Sequence, residues 1–256
     1  MQNRVNFPKI GRKHTFTPLF NAKRTTKGEK RLPSKILFIY STGSIQRKLR
    51  REMKLSVYLH NAGGCGGCKP QHLITKDRKL DVMVLAAGAP FTAVAAEEAI
   101  ACGAKEILII GAAGALNRKL NSSDIVLCNA AIRDEGTSHH YLRDSVYSYP
   151  DRKLSSDLAT GMRHAGINFV QGRTWTIDAP YVETREEIEN YRKKGILTVE
   201  MEASALFAVA KKRKIRAAAV FTISDLLGEE WSGFMSDYKD EGYKRLAKVA
   251  AIFKEL

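Results

Sequence analysis

The feature that most constrains the fold of this chain is an alternation of short apolar runs with helical segments of about ten residues. Apolar runs of this kind, bounded by turn residues, are typical of buried strands. They predict strands at residues 36–40, 54–60, 80–86, 106–110, 125–132, 168–175, 196–199 and 217–223. The segments between them predict helices at residues 45–53, 92–102, 155–164, 185–194, 202–212 and 238–256. Strands that alternate with helices predict an α/β fold with helices on both faces of a sheet.

The domain organisation follows from where this alternation begins. Residues 35–256 contain neither an internal repeat nor a linker, so they are predicted to form one domain. Residues 1–34 show no lasting apolar period and are punctuated by Pro8, Gly11, Pro18, Gly28 and Pro33. We therefore expect residues 1–34 to be an irregular, basic N-terminal arm.

The net charge of +15 is concentrated at one end of the chain. Residues 1–54 hold 15 Lys or Arg and 2 acidic residues, whereas the other 202 residues hold 27 and 25. The basic segment is interpreted as a subunit-contacting arm, a solvated tail, or a phosphate or nucleic-acid patch. Nucleic-acid binding is the less favoured of these, because no motif with interleaved aromatic residues accompanies the charge.

The chain has the composition of a cytoplasmic protein that makes no membrane contact. Its longest apolar run, residues 82–96, is broken by Gly88 and Pro90 and is shorter than the roughly 18 residues that a membrane helix needs. The N-terminus is polar and basic and lacks the apolar core of a secretory signal.

A Gly-rich loop carries Cys65 and Cys68 in a C-x-x-C arrangement, with His60 and His72 nearby. These four side chains have the chemistry of a zinc site, and a redox pair is a second interpretation. We favour a flexible loop with two incidental thiols in a reducing compartment, and we predict no metal.

The segment Val199-Glu200-Met201-Glu202 places two carboxylates one residue apart where a strand-like run gives way to a helix-like one. Carboxylates accept several hydrogen bonds, and such a strand end lies at the crevice where α/β sheets hold ligands. A sugar with vicinal hydroxyls is a ligand of this kind. From these residues alone, an exposed acid followed by an acid that the helix dipole favours is an equally good interpretation.

Other predicted strand ends also carry small or polar residues. Gly111 and its neighbours predict that the strand at residues 106–110 ends in a tight turn, whose amides approach an anion or a sugar. Asp225 ends the last apolar strand. It is interpreted either as an acid that protonates a leaving group or as a helix N-cap. Tyr181 follows a turn, where its ring stacks on a flat base or simply packs.

Together and in this order, these elements resemble the nucleoside phosphorylase family, which includes uridine phosphorylases and hexameric purine nucleoside phosphorylases. The resemblance covers about residues 80–225. Its strongest matches are residues 125–141, a strand with a polar loop, and residues 199–207 around the paired carboxylates. Residues 111–116 and 224–225 add to it.

The resemblance implies one α/β domain with a mixed, partly barrel-like central sheet flanked by helices, assembled as a dimer to hexamer. It implies that Glu202 binds the ribose 2′ and 3′ hydroxyls, with Met201 lining the sugar and Glu200 supporting it. Tyr181 matches the aromatic residue near the base, and Asp225 matches the acid that purine-specific members use to protonate the base.

The resemblance also implies two sites that depend on other segments. In the family, a histidine from a neighbouring subunit often reaches the 5′-hydroxyl, and His14 is the candidate for that role here. The family's N-terminal phosphate loop is replaced by the turn at residues 41–44. We therefore expect phosphate at Gly43, Ser44, Arg47 and Gly111.

The chain departs from the family around the strand-end glycine. The family places an Arg and a Thr there to bind phosphate, whereas this chain has Ile109 and Ala112 or Ala113. We expect reversible phosphorolysis of a purine-leaning ribonucleoside to free base and ribose 1-phosphate, with phosphate as co-substrate and no cofactor. The alternatives are a uridine phosphorylase, a nucleosidase that uses water, and a non-catalytic nucleoside- or RNA-binding relative.

Overall fold

A mixed sheet of ten strands runs through the computed structural model, which describes residues 12–40, 43–64, 69–228, 230–234 and 240–256. The strands are β1 Lys35–Tyr40, β2 Ser56–Tyr58, β3 Gln71–Ile74, β4 Leu80–Leu85, β5 Glu106–Ala115, β6 Ile125–Asp134, β7 Tyr147–Ser148, β8 Val170–Ile177, β9 Ile196–Glu200 and β10 Arg216–Leu226. The helices are α1 Ala22–Thr25, α2 Gly43–Glu52, α3 Ala89–Ala101, α4 Arg152–His164, α5 Arg185–Lys193, α6 Ala203–Arg213 and α7 Glu241–Glu255.

Five of the strands close into a ring. Going round it, β5 pairs with β10, β10 with β6, β6 with β8, β8 with β9, and β9 returns to β5. The β10–β6 and β9–β5 contacts are antiparallel and the other three are parallel. The predicted α/β fold with a mixed, partly barrel-like sheet is therefore confirmed.

The sheet extends beyond the ring on one side. β1 lies parallel to both β5 and β4, and β3 and β2 continue the sheet as antiparallel strands. Because β1, β4, β5 and β10 run in parallel, their carboxyl ends meet at one edge of the sheet. This is the edge at which open α/β sheets hold ligands.

Helices cover both faces of the sheet, and each face has its own apolar core. On one face, residues of α2, α4 and α7 pack against Leu37 and Ile39 of β1. On the other face, residues of α3 and α6 pack against Ile36 and Phe38. The near-continuous apolar sequence of β1 follows from this burial on both sides.

The part of the predicted arm that the structure describes packs partly on this domain. The Thr25 hydroxyl of α1 donates to Glu98 of α3 over 3.1 Å. The N–H of Leu32 donates to the carbonyl of Cys102, and the Leu32 side chain is buried. The boundary after residue 34 stays a prediction.

One predicted strand end was wrong, and two short strands were missed. The strand expected to stop at Gly111 continues to Ala115, because Gly111 and Gly114 lie inside the β5–β10 ladder rather than in a turn. Strands β3 and β7 were not predicted, since they contain only four and two residues, too few for a periodic pattern. No helix within the described residues combines the length and apolar character needed to cross a bilayer.

Candidate active site

The paired carboxylates lie where β9 ends and α6 begins. Both oxygens of Glu200 are used by the protein itself. One accepts the N–H groups of Glu202 and Ala203 over 2.8 and 2.7 Å, and the other accepts the hydroxyl of Thr176. Burial raises the pKa of Glu200. Glu200 therefore fixes the backbone at the start of α6, the supporting role implied by the resemblance.

Glu202 has a different set of contacts. One of its oxygens accepts the N–H of Gly88 over 2.7 Å, and the other accepts the N–H of Met201 over 3.3 Å. The side chain is only 6% exposed, and burial, followed by the charge of Glu200, raises its pKa. Because each carboxylate oxygen accepts two hydrogen bonds, one position on each oxygen is left for a ligand. That pattern suits two adjacent hydroxyls.

Tyr40, at the end of β1, lies within electrostatic reach of Glu202. It was not predicted as a site residue from the sequence. Its hydroxyl shares a hydrogen bond of 3.0 Å with Thr92 of α3. Burial, then the charge of Glu202, raises the pKa of Tyr40 well above its usual range, so the phenol stays a hydrogen-bond donor. A tyrosine hydroxyl at the end of an apolar run was the available sequence indication.

The residues expected to bind phosphate lie next to Tyr40. Gly43 and Ser44 begin α2, and the Arg47 guanidinium lies over both, with a hydrogen bond of 3.3 Å to the Ser44 hydroxyl. Gly111 approaches from β5: a Cβ atom at this position would lie 3.8 Å from the Tyr40 ring. The preceding residues of the turn, Ser41 and Thr42, lie outside the described residues.

The Arg and Thr positions of the family are apolar in this structure as well. Ile109 is fully buried in the core beneath α3 and α6, and Ala112 packs against the opposite core. Neither side chain offers a charge or a hydrogen bond to an anion. At the start of α2, the described groups that suit an anion are backbone amides and the Arg47 guanidinium.

A third acid of the site, Asp225, lies near the end of β10 and is buried. One of its oxygens accepts the hydroxyl of Ser224 over 2.6 Å, and the other accepts the indole N–H of Trp231 over 2.9 Å. A Cβ on Gly114 of β5 would lie 3.2 Å from this carboxylate, and Gly114 pairs with Val199 of β9. Asp225 and the paired carboxylates therefore lie at the same edge of the ring.

Two further residues lie on the segment between β8 and α5. Tyr181 is fully exposed on a short 3-10 turn, Pro180–Val182, so its ring is free to meet a ligand but does not pack on the protein. Glu183 follows that turn and is half-buried. Burial, then the charge of Asp225, raises the pKa of Glu183 to about 7. Neither Glu183 nor Trp231 was identified from the sequence.

The polar loop after β6 contacts the first turn of α6 through hydrogen bonds. Glu135 accepts the hydroxyl of Ser204 in α6 over 2.7 Å and the N–H of Ser138 over 2.9 Å. Arg133 donates to the Ser138 hydroxyl over 2.8 Å. The loop is thus a hydrogen-bonded support for the first turn of α6, and its residues face the protein rather than a ligand.

His14 lies far from this site within its own chain. Its carbonyl accepts the ammonium of Lys212, near the end of α6 opposite Glu202. An α-helix of eleven residues spans about 16 Å at 1.5 Å per residue, which separates the two ends of α6. A ribose contact by His14 would require a second copy of the chain.

The histidines considered for zinc are engaged in hydrogen bonds. His72 contacts Asp81 through Nδ1 over 2.9 Å and the carbonyl of Ala62 through Nε2 over 3.0 Å. His60 contacts the carbonyl of Lys30 and the N–H of Ala62 through its two ring nitrogens. Both rings are therefore structural, while Cys65 and Cys68 lie outside the described residues.

Comparison with known proteins places these features in a family. The sequence pattern described as Phosphorylase superfamily matches residues 59–256. A guanosine phosphorylase of Halorubrum lacusprofundi is 30% identical over 151 residues, covering 59% of this chain and 63% of that protein. A uridine phosphorylase of Thermococcus kodakarensis is 28% identical over 149 residues, covering 53% and 54%. The matches thus span less than two thirds of either relative.

Solved structures share the fold at low sequence identity. A purine nucleoside phosphorylase of Toxoplasma gondii, in complex with immucillin-H, superposes with a TM-score of 0.75 at 17% identity, covering 87% of this chain and 90% of that one. A 5′-methylthioadenosine/S-adenosyl homocysteine nucleosidase of Campylobacter jejuni gives a TM-score of 0.72 at 18% identity, covering 87% and 100%. The same fold therefore carries both phosphorylases and a nucleosidase.

Proposed function

Since the chain belongs to the Phosphorylase superfamily, we propose that it cleaves a purine ribonucleoside with inorganic phosphate, releasing the free base and ribose 1-phosphate. The observation that carries the proposal is the buried carboxylate of Glu202, oriented by the N–H of Gly88. With one open position on each oxygen, it suits the 2′ and 3′ hydroxyls of a ribose. Met201 would line the sugar, and Glu200 would hold the segment in place.

In the proposed reaction, a phosphate oxygen attacks C1′ while the bond from C1′ to the base breaks. Gly43, Ser44, Arg47 and Gly111 are proposed to hold the phosphate, because amides and a guanidinium favour an anion. Positive charge develops on the ribose as the bond breaks, and nearby carboxylates stabilise it. Phosphate takes part as a co-substrate, and the proposed chemistry needs no cofactor.

We propose a purine because of the carboxyl groups at the base end of the site. A purine leaves more easily when N7 is protonated, and the buried carboxyl group of Asp225 lies at the same edge of the ring as Glu202. Tyr181 is exposed on the turn before α5, and we propose that its ring stacks on the base. A similar protein acts on guanosine by its name, which supports a purine here.

The test is cleavage of guanosine, inosine, adenosine and uridine with and without phosphate, with ribose 1-phosphate and free ribose measured separately. We expect a purine nucleoside to be cleaved only with phosphate, and ribose 1-phosphate to form in equal amount to the base. Cleavage of uridine but of no purine would contradict the choice of base. No cleavage of any nucleoside would contradict the proposed function itself.

A nucleosidase is the second candidate, and the buried Ile109 and the small Ala112 favour it. Neither side chain binds phosphate, and water needs no anion site. The similarity in fold to a nucleosidase agrees with this candidate. Equal release of base in both reactions, with free ribose as the product, would establish hydrolysis in place of phosphorolysis.

A further inference from the structure

Positive charge gathers at the edge of the sheet opposite the proposed active site, where the parallel strands begin. Lys35 is the first residue of β1, and Arg216 is the first residue of β10. Lys79 and Lys105 directly precede β4 and β5, and Lys214 is the C-cap of α6, two residues before β10. We call the surface formed by these five residues the basic edge.

Strand pairing brings these cations into one row. Lys35 pairs with the first residue of β4 and with Glu106 of β5, and Glu106 pairs with Arg216 of β10. Lys105 donates its N–H to the carbonyl of Ser34 over 2.8 Å, and its own carbonyl accepts the N–H of Arg216 over 3.0 Å. Neighbouring strands lie about 4.8 Å apart, so the starts of these four strands span about 14 Å.

The row continues along the sheet towards β2. Ser56 of β2 pairs with Ile74 of β3, and Ile74 pairs with Asp81 of β4. Lys54 lies two residues before Ser56 and is exposed, and the last turn of α2 carries two exposed arginines just before it. The positive surface therefore extends beyond the four parallel strands.

Acids at this edge neutralise only part of the charge. Glu106 forms an ion pair with Arg216. Lys254 of α7 forms ion pairs with Asp77 and Glu255 over 2.7 and 2.9 Å. Three lysines of the basic edge are exposed and form no ion pair within the described part of the chain: Lys79, Lys105 and Lys214.

The amino-acid composition does not reveal this surface. Residues 55–256, which include four of the five cations, hold 27 Lys or Arg and 25 acidic residues. The fold separates these charges, because the buried acids Glu200, Glu202 and Asp225 lie at the opposite edge of the sheet. A ligand of the basic edge is therefore distinct from the nucleoside.

We propose that the basic edge binds the phosphate backbone of a nucleic acid. One strand of a nucleic acid presents a phosphate about every 3.4 Å of its axis, so a row of about 14 Å faces about four phosphates. Lysine suits this ligand, because its ammonium is a point charge with three donors on a flexible stem. A membrane is less favoured as the partner: α2 buries Ile45 and Leu49 in the core, and helices that bind membrane surfaces keep their apolar face for the lipid.

The test measures binding of a labelled single-stranded RNA and a labelled DNA duplex, each about 20 nucleotides long, to the full chain by fluorescence anisotropy. We expect a Kd of about 1–100 μM at physiological salt, weaker as the salt concentration rises. The triple variant Lys79→Gln, Lys105→Gln, Lys214→Gln should raise the Kd about tenfold or more. It should also reduce the dependence of log Kd on log salt by about 2 for the RNA, at about 0.7 per phosphate contact.

The matched control replaces three exposed lysines near the other end of β5 by glutamine: Lys119, Lys193 and Lys194. It removes the same charge and should bind both nucleic acids like the wild type. Both triple variants should keep the thermal midpoint and the nucleoside cleavage of the wild type, because all six lysines are exposed.

Binding of either nucleic acid that depends on the lysines of the basic edge supports the proposal, and the tighter of the two identifies the source of the phosphate backbone. Equal weakening by the two variants would show that only net charge matters, and would overturn it. No binding of either nucleic acid would overturn it as well. Binding to vesicles of anionic lipid but to neither nucleic acid would identify a membrane surface instead. Because the measurement is of binding, its outcome is independent of whether the chain cleaves a nucleoside.

Discussion

Among single residues, Glu200 and Glu202 show how two neighbouring carboxylates acquire different tasks. Glu200 is saturated by donors of its own chain, namely two backbone N–H groups and Thr176. Glu202 accepts one backbone N–H on each oxygen and keeps the remaining positions open. The sequence alone treats the two as equivalent, because only the tertiary contacts distinguish them.

This difference predicts opposite effects for the two amide variants. Glu200→Gln should unfold more easily by about 1–3 kcal/mol, because the amide leaves a buried donor or acceptor without a partner. Glu202→Gln can keep the 2.7 Å bond from Gly88 with its amide oxygen and gives up only the longer bond of 3.3 Å from Met201, so it should cost about 1 kcal/mol. It should lose about 100-fold in kcat/KM for the nucleoside, because the amide nitrogen cannot accept a ribose hydroxyl. Urea unfolding and initial rates measure the two effects. A Glu202→Gln variant with normal activity would remove Glu202 from the site.

A second buried pair predicts a pH dependence of stability. Burial lowers the pKa of His72, but its hydrogen bond to Asp81 and the charge of that carboxylate outweigh this effect, and the net pKa is raised. A group with a raised pKa in the folded state stabilises the protein fully below its unfolded pKa, about 6.5 for histidine. That stabilisation is lost as the pH rises through the folded pKa.

The variant Asp81→Asn removes the charge that raises this pKa. We expect it to cost about 2 kcal/mol of unfolding free energy at pH 6, the value of a hydrogen bond to a charged group. The cost should decrease as the pH rises above the raised pKa of His72. Urea unfolding of wild type and variant between pH 5.5 and 8.5 gives the difference at each pH. A difference that is constant over this range would contradict the prediction.

At the level of elements, β5 depends on glycines where other strands approach it. A Cβ on Gly114 would lie 2.5 Å from Leu227, and it would also crowd Val199 and the Asp225 carboxylate. A Cβ on Gly111 would meet only the Tyr40 ring, at an ordinary 3.8 Å. The same residue type is therefore required at one position of the strand and tolerated at the other.

We expect Gly114→Ala to lower the unfolding free energy by about 1–3 kcal/mol, the usual cost of overpacking. Because the displaced groups include Asp225, its nucleoside cleavage should fall as well. Gly111→Ala is the matched control for stability and should unfold within about 1 kcal/mol of the wild type. Equal stability of the two variants in urea would contradict this account of the strand.

Local sequence patterns explain which helices and strands were predictable and which were not. The periodicity of apolar residues located most helices and strands, because burial on two faces leaves a local pattern. The end of β5 was wrong because a glycine that admits a neighbouring strand has the same local sequence as a glycine in a turn. β3 was missed for another reason: its four residues are too few to show an apolar period, although its partner β4 begins only six residues later.

Site residues that are adjacent in sequence were predictable, whereas residues that only the fold brings together were not. Glu200, Met201 and Glu202 are adjacent in sequence, so their spacing was informative. Trp231 and Glu183 belong to different loops and reach Asp225 only through the fold. A tryptophan that directly follows two acids, in a stretch without periodicity, gives no local indication of a hydrogen bond to Asp225.

For the molecule as a whole, the exposed apolar residues indicate further contacts. Phe16, Leu19 and Phe20 are 58, 97 and 67% exposed within five residues of the arm. A groove of about 1250 Å³ lies nearby, lined by His14, Tyr149 and Lys212 among others. Large apolar side chains grouped on a surface are typical of interfaces. We therefore expect the chain to form a homo-oligomer in which the arm contacts a second copy.

Replacing Phe16, Leu19 and Phe20 together by serine should dissociate this oligomer. The wild type should sediment as a dimer or larger species relative to its chain mass of 28.5 kDa, and the triple variant should shift towards that mass. The thermal midpoint should change little if the arm contributes only to the interface, because these side chains are exposed within one chain. A control with the same number of changes replaces the exposed cations Arg24, Lys27 and Lys30 by serine. Since the control removes charge and keeps the apolar contacts, it should sediment like the wild type. A monomeric wild type would contradict the assignment of the arm to a subunit interface.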